Sequence, residues 1–138
     1  MVDYITRIND KLEQLNLWKN QLNSILPNSA DSYKSDFVIS AACERLTERI
    51  IEEMIIISNI ILKEKGIIDR TKSFEKLNDL GILSESLFKK LEEIKGMRNL
   101  MIHNYDDFDQ EIFYNSLFEL IDDSNQYKKE IKSALIEN

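Results

Sequence analysis

The chain has 138 residues, 43% hydrophobic and 31% charged, proportions that fit one folded domain (residues 1–138) and exclude a disordered chain. Its net charge of −7 excludes the broad basic surface on which non-specific nucleic-acid binding depends. The single cysteine, Cys43, excludes an internal disulfide, suits a reducing cytosol and reads as a small buried apolar residue.

Ile5, Ile8, Leu12, Leu15, Leu22 and Leu26 recur at helical spacing and predict an amphipathic first helix ending before Pro27, with Trp18 beside the stripe as core. Met1-Val2-Asp3-Tyr4 opens straight into this pattern, so no secretory leader is expected. Pro27-Asn28-Ser29, with Asp31 and Ser32, reads as a loop and a helix start. The longest helix is expected from about residue 32 to 65. Val38, Ala42, Leu46, Ile50, Met54, Ile57 and Ile61 line one face, and Gly66 is placed to cap its end. Ile51, Ile55, Ile56 and Ile60 make its second half apolar over more than one face, so it should lie centrally and also meet a partner. The most apolar run, Met54 to Leu62, contains Ser58 and Asn59 and falls short of the roughly 20 residues a bilayer requires. A cytoplasmic protein without a membrane segment is expected.

Ser73 is placed to cap a short helix carrying Phe74, Leu77 and Leu80, closed by Gly81. Ser84 opens the next, with Leu87, Phe88, Leu91, Ile94, Met97 and Met101 as core positions up to His103. Gly96 inside it costs about 1 kcal/mol relative to alanine, which close approach of another backbone would offset. The last helix should start near Asp107 to Asp109 and run almost to the C-terminus on Ile112, Phe113, Leu117, Leu120, Ile131 and Leu135. With one proline, three glycines and no strand signal, the expectation is an all-α bundle of four long helices plus a short one.

The charge is unevenly placed. Residues 104–138 hold nine acids against three lysines, a balance of −6, leaving residues 1–103 nearly neutral. RNA contact would therefore have to be local, at a cleft, or assisted by a partner. No phosphate-binding glycine loop and no cysteine/histidine metal set occurs. Asp106, Asp107 and Asp109 lack the glycine and glutamate of a calcium loop and read as turn and cap residues, so no metal and no cofactor are expected. The doublets Glu52-Glu53 and Glu92-Glu93 read as solvated faces.

The segment Arg98-Asn99-Leu100-Met101-Ile102-His103-Asn104-Tyr105 contains the only histidine. Histidine is the side chain whose ordinary pKa lies in the physiological range, and here a guanidinium precedes it and a phenol follows. Positions five apart lie about 140° from each other around an ideal helix. Arg98 and His103 therefore meet most easily if His103 ends its helix, or if a second copy of the helix faces the first. The residues alone leave a structural histidine and a surface arginine open.

Arg98-Asn99-x-x-x-His103, extended by Asn104-Tyr105 to Arg-x4-His-x-Tyr, resembles the signature of the HEPN domains and of their HepT subfamily. The resemblance extends over nearly the whole chain in length and helix order. It implies the toxin of a type VII-like toxin–antitoxin system: a homodimeric, metal-independent endoribonuclease that cuts RNA where two motifs meet. Arg98 and His103 would be catalytic, with Asn99 in support. The same resemblance implies that an MntA-like nucleotidyltransferase transfers AMP from ATP to Tyr105, silencing the toxin; Tyr114 and Tyr127 lie outside the motif. It equally admits a non-catalytic HEPN binding module that partners a minimal nucleotidyltransferase.

Overall fold

Local capping sets the helix boundaries. The computed structural model describes residues 3–68 and 71–137, and these form six α-helices with no strand. They are α1 (Tyr4–Ile25), α2 (Ala30–Ser35), α3 (Phe37–Glu64), α4 (Ser73–Asp79), α5 (Glu85–His103) and α6 (Gln110–Glu137), with a 3-10 turn at Tyr105–Asp107. Asp3 starts α1 by accepting the Thr6 N–H at 2.7 Å, and Ser84 starts α5 by accepting that of Leu87 at 3.3 Å. Gly66 and Gly81, at φ of +79° and +75°, supply the left-handed turns after α3 and α4.

The all-α expectation holds, with corrections in detail. The long helix expected from residue 32 is broken at Asp36, which is extended and accepts the Ile39 N–H at 3.0 Å. A short polar side chain that can bond its own backbone two or three residues on stops one helix and caps the next. Ser73 is the first residue of α4 rather than its cap, and its hydroxyl donates to Asn59 Oδ1 on α3. Gly96 faces open space, so no backbone of this chain closes on it.

The buried face of α3 runs through Ser40, Cys43, Thr47, Ile50, Met54, Ile57 and Ile61, leaving Val38 73% exposed at the helix start. Ile5, Leu80 and Ile112 are likewise outside the core expected of them. Glu53, read as solvated, is buried and paired with Lys11 at 3.3 Å. The apolar excess of α3 is largely absorbed within the chain: Ile51 is buried, Ile55 and Ile60 pack on the core, and Ile56 stays exposed.

α1 packs along α3, α6 lies mainly against α1 and α5, and α5 lies mainly against α6 and α4. The start of α5 is tied to α6, since Glu130 accepts both the Ser84 N–H at 2.6 Å and its hydroxyl at 3.0 Å. The other end of α5 carries the polar motif. No helix among the described residues is long and apolar enough to cross a membrane.

Candidate functional site at the end of α5

His103 is the last residue of α5. The Asn104 N–H still bonds Leu100 O at 2.9 Å, but at φ −137°, ψ 56° the chain then leaves the helix. Asp107 N–H turns back to Asn104 O at 2.9 Å, closing a tight turn that presents Tyr105. Phe108 anchors this turn: it is buried, its ring lies 5.3 Å from that of Tyr105, and it meets Phe113 edge-on at 4.9 Å. Asp109 caps α6 by accepting the Glu111 and Ile112 N–H groups at 2.9 and 3.0 Å. Among the described residues, no three His, Cys, Asp or Glu side chains gather as a metal-holding group.

Arg98 and His103 sit on the same helix, so the offset of about 140° applies to them directly. Ideal helix geometry directs them to different sides of α5. Among the described residues, neither side chain has an ion pair or hydrogen bond. Arg98 is half-buried, and its Nε is shielded from solvent with no acceptor in reach. Leaving such a donor unpaired costs about 1–3 kcal/mol, and it keeps the guanidinium charge uncommitted to any carboxylate. His103 is exposed in the last turn, where a cation meets the free helix carbonyls favourably. Asn99 is exposed beside Arg98, and its side chain makes no hydrogen bond among the described residues.

Tyr105 is differently placed. It is 50% exposed, yet its hydroxyl donates to Glu44 Oε2 on α3 at 3.0 Å and accepts from Gln110 Nε2 at 3.4 Å. Partial burial raises the Tyr105 phenol above its ordinary pKa, and the Glu44 carboxylate raises it further. Burial also lifts the Glu44 carboxyl above the usual glutamate range; the Tyr105 hydrogen bond opposes this and Glu48 adds to it.

Glu44 and Gln110 are the residues that sequence reasoning missed. Glu44 lies 61 positions from Tyr105 in the chain, and no spacing rule connects them. One signal was present: Ser40, Glu44, Thr47 and Ile51 follow at four- and three-residue steps, placing a carboxylate on a stripe that is otherwise buried. The thiol of Cys43, next to it, is pushed by burial up to about 11, which leaves it unreactive near neutrality.

The all-α bundle belongs to a recognisable class, and solved structures identify it as the HEPN fold. The tri-AMPylated Shewanella oneidensis HEPN toxin, solved in complex with its MNT antitoxin, superposes with a TM-score of 0.84, covering 96% of this chain and 99% of that one at 21% identity. A chain from a toxin–antitoxin crystal structure with AMP-PNP gives 0.81, covering 95% and 99% at 20% identity. Likeness at that identity establishes the fold. The sequence goes further: the family model described as HepT-like, ribonuclease HepT-like, matches residues 4–131, and the chain belongs to that family. Among curated relatives, the tRNA nuclease HepT of Aphanizomenon flos-aquae (strain 2012/KM1/D3) is 29% identical over 132 residues, spanning 94% of this chain and 90% of its own.

Proposed function

We propose that this chain is the toxin of a toxin–antitoxin pair: a metal-independent endoribonuclease, acting on tRNA, that works as a homodimer and is silenced by AMP transfer to Tyr105. The observation that carries the reading is the uncommitted pair of Arg98 and His103 on α5, within a chain of the ribonuclease HepT-like family. RNA supplies its own nucleophile. The 2′-oxygen attacks phosphorus, the bond to the 5′-oxygen breaks, and a 2′,3′-cyclic phosphate forms. His103 takes the 2′-hydroxyl proton, and His103 of the second copy returns one to the leaving 5′-oxygen. Arg98 holds the developing phosphorane charge through paired N–H donors.

The offset of about 140° between Arg98 and His103 on one helix supports a second copy completing the site. Ile102 at 44% and Ile112 at 58% exposure leave apolar surface near the motif for such a contact. A nucleotidyltransferase antitoxin is the expected partner, and an AMP group on the half-exposed Tyr105 would place a phosphodiester and a nucleoside two residues from His103.

The test is cleavage of bulk tRNA by purified protein with EDTA present, wild type beside His103→Ala. Cleavage by wild type alone, with a fall of about 10²-fold or more in the variant, is the expected result. Equal cleavage by both removes His103 from the reaction. No cleavage by folded, dimeric wild type leaves the non-catalytic partner-binding module as the better description.

A further inference from the structure

The Tyr105 hydroxyl is already hydrogen-bonded to a base. Glu44 reaches it from α3 at 3.0 Å, Gln110 steadies it from α6 at 3.4 Å, and the Phe108 ring holds the phenol in place. A tyrosine waiting on a partner enzyme needs no such carboxylate for stability, because exposed polar pairs of this kind contribute little. We propose that Glu44 is the proton acceptor for Tyr105 during AMP transfer, a catalytic residue supplied by the protein being modified rather than by the transferase. The inference rests on the reading of Tyr105 as the acceptor.

Tyr105 Oη attacks the α-phosphorus of ATP, forming the Oη–P bond. The bond from that phosphorus to the oxygen bridging to the β-phosphate breaks, and pyrophosphate leaves with the electron pair. The phenol proton passes to Glu44 Oε2 and from there to solvent. A free phenolate is the poorer route, because burial and the facing carboxylate both disfavour a negative charge on Tyr105. Proton transfer in concert with attack avoids that charge. The raised proton affinity of Glu44 suits it to receive the proton. The titratable groups around it are Glu48 and Cys43 on α3, Tyr33 on α2 and Tyr105 itself. Once Tyr105 is modified it has no proton to donate, and the new phosphodiester charge is repelled by Glu44, which turns the adenylyl group away from α3.

The experiment follows α-labelled ATP incorporation into the purified full chain by its nucleotidyltransferase partner, across about pH 5 to 8. Wild type, Tyr105→Phe, Glu44→Gln and Glu44→Ala are compared. Glu44→Gln can still accept the hydrogen bond but cannot take the proton, so incorporation should slow by about 10²-fold. The wild-type acid limb, lying above the ordinary glutamate range, should vanish in this variant. Formate should partly restore Glu44→Ala. No label on wild type, or undiminished label on Tyr105→Phe, refutes the underlying reading of Tyr105. Label that depends on Tyr105 but keeps its rate and pH profile in Glu44→Gln refutes the role of Glu44 alone. A wild-type rate that is flat with pH overturns it as well. So does a slowed Glu44→Gln that retains the acid limb, or a Glu44→Ala indifferent to formate, since either marks a merely structural contact.

Discussion

Asp123 sets a pH dependence on the stability of this bundle. It lies on α6 at 5% exposure, its Oδ2 shielded and without a hydrogen-bond partner, and the Lys90 ammonium stands 4.0 Å from Oδ1. Burial raises its carboxyl from 3.8 to about 6; Lys90 opposes the rise, while Glu119, Asp122 and Glu93 add to it. The folded state therefore binds a proton more tightly than the unfolded chain. Stability is greatest with Asp123 protonated in both states, falls as pH rises through the window from about 4 to 6, and stays lowered above it. At about 1.4 kcal/mol for each tenfold change in proton affinity, the loss is on the order of 3 kcal/mol. Asp123→Asn abolishes the titration. In urea unfolding, the variant should match or trail wild type near pH 4 and exceed it by about 2–3 kcal/mol near pH 7. A stability difference that does not change between the two pH values would refute the argument.

Arg98→Met should leave folding stability unchanged or raise it by up to about 1 kcal/mol, because it removes a shielded donor that has no acceptor, while tRNA cleavage falls by about 10²-fold or more. Parallel urea melts and cleavage assays check this, and a large loss of stability would mean that Arg98 is structural. Tyr127→Phe should cost about 1 kcal/mol in the same melts. The buried Tyr127 hydroxyl bonds Ser58 Oγ at 2.7 Å and Met54 O at 2.8 Å, but Ser58 can still donate to Met54 O once it is gone. No cost would show that this network adds nothing to the core.

Much of the fold was written in local chemistry. Apolar periodicity located α1, α5 and α6, and Ser84 and Gly66 marked the helix ends they occupy, because caps and amphipathic faces depend on neighbours within a few residues. The same locality explains the misses. The helix expected from residue 32 reads as continuous until Asp36 caps itself out of it, and Val38 resembles the core residues that follow until the chain places it in water.

The candidate site divides along the same line. Arg98, Asn99, His103 and Tyr105 lie within eight consecutive residues, so their identities and their order on one helix and its following turn belong to the sequence. What the sequence could not hold is distance between remote segments. Packing of the turn after α5 against α3 sets Glu44 on the Tyr105 hydroxyl, and packing around α5 shields Arg98 Nε without giving it an acceptor. Both are consequences of how helices stack, which is decided by many side chains at once.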